Sequence, residues 1–536
     1  MAQAKVYQDL VGKTTRGKFP AIQGAEWSCN MYREKSGDAS YMASVPGLKF
    51  VANLDANGNA CRGSYVSTRG LDSDEDLFVA YGDTLYRVYG SGAHATNIGT
   101  LANNTAKVCF AETGGERPLL LVADGTNLWY YDLVNGGTAS RITLPNRISD
   151  NTPITPTHVA VVSGSIVVND TGSGYVYYSK PYALSQATRT MFKMSGGSPV
   201  YDVDGVTILT ETVNSDTVVF LDDYHVQQYF NGESSSDKVN AVYAVGSALY
   251  LFGPKSVETW QRGSGDYQTW LRTSYTINSA NGLASPYSLA NINERVFYVG
   301  SGESFSRGVM MITGGTTFQK ISDQWLDEKL ANEDVGYIFG FCYCVEEHQF
   351  FVLQLPTANE TWVYDAFLGE WHQRESRVYA SKKETMWRVE SIAYIGGHFY
   401  AFTSDGNANL FDGDYWYEDY SASEKLPMIR HRQTSVIVDN YRKFVLEELA
   451  IECNVGTWDD YSLQPTLSLR VSKDGGHTFG NIHSARMGRT GDYSHRVRFL
   501  ALGLNRLCVI RVTYSHPTEL LLSACEVRAT STDRVI

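Results

Sequence analysis

One pattern recurs along this chain and leaves few folds open to it: a short apolar and aromatic strand, a Gly, Asp or Asn turn, then a second such strand. It runs over 77–86 as Leu-Phe-Val-Ala-Tyr-Gly-Asp-Thr-Leu-Tyr and over 119–130 as Leu-Leu-Leu-Val-Ala-Asp-Gly-Thr-Asn-Leu-Trp-Tyr. It begins again near Ile166, Val218, Ala248, Val296, Phe350 and Phe399. The starts lie roughly 30 to 55 residues apart, most of them in the 40s, which is the repeat length of four-stranded propeller blades. The turns are also alike, since Asp124-Gly125 and Asp405-Gly406 both put Asp-Gly where positive φ is needed, with a bulky apolar residue soon after. Composition agrees: 48 Gly and 35 Tyr beside 19% charged residues favour short strands and tight turns over surface helices. The pattern predicts an all-β fold in which residues 51–430 form a β-propeller of six to eight blades. Generic β structure with repeated Asp-Gly turns is the alternative.

After about Tyr420 the pattern changes. Leu467–Val471, Val497–Phe499 and Val509–Tyr514 alternate apolar residues with Ser, Arg and Thr, and a period of two means one buried and one wet face. A smaller β-sandwich is therefore expected over 431–536. The first 50 residues are turn-rich and are a candidate to supply a strand that closes the propeller ring. Helical signals are few: Ser322 to Leu330 has a capping residue and apolar spacing of three to four, so one short helix is expected there on an inter-blade loop, and Asp439 to Leu446 is ambiguous.

At 536 residues the chain can bury a large core without covalent staples. Its net charge of −13 argues against a protein that grips nucleic acid by neutralising phosphates, although an acidic wall that DNA slides past is compatible with it. Met1 to Leu10 lacks the form of a secretory signal, and no apolar run approaches the ~20 residues of a membrane-spanning helix, so a soluble chain made in a cytoplasm is expected. The eight cysteines, Cys29, Cys61, Cys109, Cys342, Cys344, Cys453, Cys508 and Cys525, are scattered and read as buried reduced thiols.

Candidate chemistry is sparse. Ser472-Lys473-Asp474-Gly475-Gly476-His477-Thr478-Phe479 has the form of the Asp-box turn of sialidases, in which Ser472, Asp474 and Thr478 bond turn groups, Gly476 supplies positive φ and Phe479 packs beneath. It occurs once and outside the propeller, so a structural hairpin turn is the better reading. A glycosidase needs two carboxylates across a cleft, and the adjacent Asp222 and Asp223 point apart if extended. Asp72, Asp74 and Asp76 alternate as calcium ligands do, yet Leu77 stands where the loop wants Gly. Cys342 and Cys344 are one residue too close for a zinc knuckle and share one side of a strand, which favours packing. His477, His483 and His495 read as loop polar residues. No phosphate-binding loop, nucleophile elbow or dinucleotide fingerprint occurs, so neither catalysis nor a cofactor is expected.

The order of landmarks resembles the packaged-DNA stabilisation, or tail hub, proteins of short-tailed bacteriophages. Asn30-Met31-Tyr32 with Ser44-Val45-Pro46-Gly47-Leu48 is similar to that family's opening block. Ser256 to Trp260, Asn281 to Ala284 and Arg295 to Val299 are similar to its centre. Thr361 to Asp365 with Trp371, the Ser472 to Gly480 turn and Leu520 to Cys525 complete the series. The resemblance implies a structural virion tail protein assembled in the host cytoplasm as a hexameric ring, or nozzle, below the portal and its adaptor. It further implies a channel for double-stranded DNA, and surfaces that hold tailspikes or fibres and a plug or needle protein. The competing readings are a propeller-type carbohydrate-active enzyme or lectin, and a cellular propeller scaffold.

Overall fold

Leu119–Ala123 is apolar at every position and buried at every position, so it can rest only where both of its faces are covered. It is an inner strand of a four-stranded antiparallel sheet. Leu119 and Leu121 pack on the sheet that follows, whereas Leu120 and Val122 pack on the sheet that precedes. The computed structural model repeats this device around a ring. It describes residues 4–531 other than 8–9, 11–14, 17–24, 38, 69–75, 90–93, 116, 181–187, 215–218, 233–237, 264–269, 274–280, 303–304, 315–316, 440–441 and 459–461.

Among the described residues seven such sheets, here blades 1 to 7, are built on 61–100, 109–142, 159–231, 241–272, 281–320, 339–377 and 389–412. An apolar cluster fills each junction between successive blades, and a seventh cluster joins Phe402 and Tyr400 of blade 7 to Leu77, Val79 and Tyr81 of blade 1. The first strand of blade 7, Val389–Ile395, also touches the first of blade 1, Cys61–Ser67, so the propeller is closed. Blade 7 takes its fourth strand from the other end of the chain. Gly47–Asn53 lies antiparallel on Asn407–Asp412, with Gly47 opposite Asp412 and Asn53 opposite Asn407.

One of the eight hairpin starts expected from the pattern is not a blade. Val218 lies outside the described residues, but Val219 and Phe220 belong to an insertion between the third and fourth strands of blade 3, Tyr175–Tyr178 and Tyr229–Asn231. Their side chains plug the cluster between blades 2 and 3, which is why they carry an apolar signal. The insertion makes its own hairpins, Thr188–Phe192 with Thr210–Asn214 and Met194–Ser195 with Ser198–Pro199. It ends in a turn whose Val203 and Val206 are 104% and 79% exposed.

Gln324–Ala331 is a helix between blades 5 and 6, and it seals their cluster with Trp325, Leu326 and Leu330. Asp323, not Ser322, is its N-cap residue; the Ser322 hydroxyl instead donates to Asp327 at 2.5 Å and accepts from the Val309 amide at 2.9 Å. The ambiguous stretch from Asp439 resolves as a short bridge to Arg442 followed by the strand Phe444–Cys453.

The rest of the chain is a two-sheet sandwich. One sheet holds Phe444–Cys453, Val497–Asn505 and Leu522–Ser531 together with three strands from the amino-terminal segment, Ala4–Tyr7, Met31–Ser36 and Ala39–Ser44. The other holds Ala25–Cys29, Arg430–Gln433, Val509–Tyr514, Thr466–Ser472 and His483–Arg486. Leu446, Leu449, Ile451, Leu467, Leu469 and Val512 fill the space between them. Of the first 50 residues, then, the stretch from Gly47 goes to the propeller and the earlier strands go to the sandwich. The second sheet does not stop at the domain edge: Cys29 pairs in parallel with Gln373 of the last blade 6 strand, Glu370–Arg377, so blade and sandwich are one continuous sheet.

Closure has a point where a side chain has no room. A Cβ on Gly47 would sit 2.2 Å from the Tyr417 carbonyl oxygen and 2.6 Å from that of Tyr415. Gly47→Ala is therefore expected to cost about 1–3 kcal/mol, as overpacking does, whereas Gly413→Ala, with nothing within 4 Å of the added carbon, should stay within about 0.5 kcal/mol of the parent. Denaturant unfolding followed by circular dichroism measures both, and equal midpoints would contradict this account of closure.

Candidate functional site

The strands at the junction of blade 6 and the sandwich carry charged residues at alternate positions, as in Arg430-His431-Arg432, and the fold buries them. A buried charge is costly unless its hydrogen bonds are satisfied, a counter-charge is near or an aromatic face covers it. The Arg432 guanidinium donates to the Leu10 carbonyl at 2.7 Å and the Trp27 carbonyl at 3.3 Å, and pairs with the Glu26 carboxylate. Arg430 donates to the His516 carbonyl at 3.0 Å and lies 5.0 Å from the Trp416 ring centre; burial pulls its pKa down to about 10. Arg388 bridges Glu418 at 3.2 Å and Asp405 at 2.8 Å. Arg374 is enclosed by Trp387, Tyr343 and Phe350, at 4.7 to 5.3 Å from the ring centres.

Asn30 fastens the seam. At φ 54° it turns the chain from the strand ending at Cys29 into the hairpin beginning at Met31, a conformation Asn tolerates better than most residues. Its amide nitrogen Nδ2 donates to the carbonyls of Glu375 at 3.1 Å and Ile429 at 2.9 Å, and its Oδ1 accepts from the Glu375 amide at 3.1 Å. Trp27 adds an indole N–H to the Gln373 side chain at 2.8 Å.

Two histidines flank the seam in opposite electrostatic states. His348 is buried, which by itself would lower its pKa, but Nδ1 lies 2.5 Å from Asp365 and Nε2 3.0 Å from Glu34, and these carboxylates raise it to about 9. His431 is stacked on Trp27 and pushed down to about 3 by burial and by the charges of Arg511 and Arg470. Its Nε2 is 3.6 Å from Glu375, whose carboxyl is pushed up to about 7 by burial and by Glu384.

The turn anticipated at 472–479 is complete. Ser472 Oγ donates to Asp474 at 2.6 Å and accepts from the Gly476 amide at 2.8 Å. Asp474 accepts from the Thr478 amide at 2.9 Å and its hydroxyl at 2.5 Å, and these bonds hold its carboxyl far below the ordinary range. Gly476 takes φ 100°, and Phe479 packs beside Val436 and Val509 with Arg511 4.0 Å over its ring. The Ser472 and Asp474 side chains are thus spent inside the turn, which sits on the sandwich.

The other candidates disperse. Asp72 and Asp74 lie outside the described residues, and Asp76 pairs with Arg87 at 2.7 Å. Asp222 anchors a loop through the amides of Tyr224 and Val226 at 2.9 and 2.8 Å, while Asp223 pairs with Lys180 at 2.6 Å. Cys342 and Cys344 both line a cleft of about 450 Å³ with Ile392, Tyr394 and Phe399, and Cys342 also packs against the cluster between blades 5 and 6; burial raises both thiols. His477 and His483 are exposed, and His495 bonds the Arg486 carbonyl at 2.9 Å. The eight cysteines stand as thiols, with no disulfide among the described residues. The seam residues were missed as a site, although Arg-His-Arg at alternate strand positions was a legible signal.

A family model described as Bacteriophage P22 Gp10, beta-propeller matches residues 28–410, and one described as Bacteriophage P22 Gp10, beta-sandwich matches residues 429–530. No curated protein matches the chain. Among solved structures, BBS1N in complex with ARL6DN is similar at 13% identity and TM-score 0.37, over 68% of this chain and 97% of that one. YCF48 from Cyanidioschyzon merolae is similar at 13% identity and TM-score 0.35, over 68% and 98%. The N-terminal domain of Nup159 is similar at 12% and 0.33, over 72% and 99%. Likeness at that distance has no bearing on function.

Two outcomes are expected of the seam. Asn30→Ala leaves three part-buried backbone groups without their partner and should cost about 1–3 kcal/mol, read as a lowered denaturation midpoint; an unchanged midpoint would remove Asn30 from its role. For His348, the folded pKa of about 9 exceeds the unfolded value of about 6.5, so its protonated form stabilises fully below about pH 6.5 and that stability is lost as pH rises through about 9. The difference in unfolding free energy between the parent and His348→Gln should therefore shrink by on the order of 3 kcal/mol from pH 6 to pH 9.5. A pH-independent difference contradicts the pairing.

Proposed function

The chain belongs to the bacteriophage P22 Gp10 family of tail hub-type structural proteins, carrying its propeller and its sandwich in that order, and from that membership we propose a more specific role. The protein assembles in the host cytoplasm as a ring of six copies and joins the virion tail below the portal and its adaptor. There it retains packaged DNA, conducts it during ejection, and holds tailspikes or fibres and a plug or needle protein. It acts mechanically and catalyses no reaction.

The observation that carries this reading is the continuous sheet from blade 6 into the sandwich. A force applied to one domain reaches the other through strand pairing and buried ion pairs rather than through a linker, which suits a part that must hold shape under the pressure of a packed genome. Rotational copies use heterologous interfaces that close into a ring, and obligate contacts of that kind bury over ~2,000 Å². The blade 3 arm, with Val203 and Val206 clear of the body, is the surface we assign to contact with another tail component. The net charge of −13 suits a wall past which DNA slides without sticking.

Electron microscopy of the purified chain and of the particle that contains it tests the proposal. A six-fold ring at the tail vertex is expected, and Val203→Asp with Val206→Asp should leave the melting temperature unchanged while reducing incorporation into particles. A chain that stays monomeric and enters no particle would overturn it.

A further inference from the structure

Three ligand-bearing side chains from three strands converge at the seam. Glu375 lies on the last main strand of blade 6, Glu370–Arg377, and Glu384 on the short strand Glu384–Met386 paired to it. Arg377 is opposite Glu384 in that register, so Glu375, two residues away, shares its face. His431 comes from the sandwich strand Arg430–Gln433. One ligand atom from each, the imidazole nitrogen and two carboxylate oxygens, lies within 4.8 Å of the others.

The chain does not satisfy this cluster by itself. The Glu375 side chain is nine-tenths buried, and its Oε1 has no hydrogen-bond partner. The Cys29 thiol hydrogen-bonds the Glu375 carboxyl, but His431 Nε2 stands 3.6 Å from Oε1, beyond hydrogen-bond reach. The His431 ring cannot easily turn away: it is stacked on Trp27 at 5.4 Å, and its Nδ1 meets Thr513 Oγ1 at 2.9 Å. With Nδ1 donating to that hydroxyl, Nε2 presents a lone pair to a carboxylate oxygen. In that tautomer two acceptors face each other in a buried seam, an arrangement that a shared proton or a bound cation relieves.

We propose that His431, Glu375 and Glu384 form a binding site for a divalent transition-metal ion, zinc being the species their nitrogen and oxygen donors fit best. Three protein ligands leave a further position open, and the exposed Glu384 is the way in. The Thr513 hydroxyl supplies the outer contact that orients a metal-binding imidazole. The ion staples the last blade 6 strands to the sandwich at the place where Asn30 also joins them. This site is independent of the assembly proposed above.

The test uses the full chain, stripped with a chelator and titrated with zinc in a calorimeter. One equivalent per chain should bind, and the melting temperature should rise with zinc. Glu384→Gln, a change at an exposed position that the fold tolerates, and His431→Gln should each weaken binding at least as much as the ~10–100-fold typical of losing an outer contact, and abolish the thermal shift. No binding to the stripped parent would mean that a proton, not a metal, occupies the gap. Binding that Glu384→Gln leaves unchanged would place the ion elsewhere. Either result overturns the site.

Discussion

Strands that are apolar on both faces cannot exist in a lone sheet, and the whole propeller rests on that constraint. Leu119–Ala123 in blade 2, Ser165–Asn169 in blade 3 and Ala248–Phe252 in blade 4 each send alternate side chains to different neighbours. No blade is stable alone, because half of each inner strand is finished only by the next blade. The arrangement ends only when the last blade meets the first. Gly47–Asn53, borrowed from the amino-terminal side, makes that meeting a matter of strand pairing as well as of packing.

The same borrowing explains why the sandwich cannot be separated cleanly from the propeller. A chain that must return from the sandwich to close blade 7 passes through the seam, and Asn30 is where it turns. Strands before the turn belong to the sandwich sheet, and the strand from Gly47 belongs to the ring. The buried arginines lie on either side of this crossing: Arg432 bonds partners within the sandwich, while Arg388 and Arg374 sit where blades 6 and 7 meet. Arg432 and Arg388 are compensated by carboxylates and carbonyls, and Arg374 by aromatic faces. Removing one partner from such a group costs more than the pair contributes; across the seam itself, the His348–Glu34 pair and the Asn30 bonds to Glu375 specify one relative placement of the two domains.

Much of the fold was legible because it depends on local periodicity. Runs such as Leu77–Tyr81 and Leu119–Ala123 announce inner strands, and alternation in Leu467–Val471 announces a half-wet sheet. The error at Val218 has the same origin: an insertion whose Val219 and Phe220 plug an inter-blade cluster carries the apolar signature of a blade without its pairing. The turn at 472–479 was legible as a structure because its side-chain hydrogen bonds close within a few residues. The seam was not, because Asn30 and Glu375 are far apart in sequence and nothing local in either announces the other.

What the sequence determined by itself is therefore the set of parts: short two-faced strands, tight turns, one short helix within 322–330, a second domain with one wet face, and an ordered series of landmarks that points to a phage tail protein. Tertiary structure alone decided how many blades the parts make, which strand closes them, and that blade 6 and the sandwich share a sheet. It also decided that His431, Glu375 and Glu384 meet. The physical reason is that burial and turn chemistry act over a few residues and leave their mark on composition and spacing. Strand partnership and charge compensation act across hundreds of residues, and only the closed ring brings those residues within hydrogen-bond range.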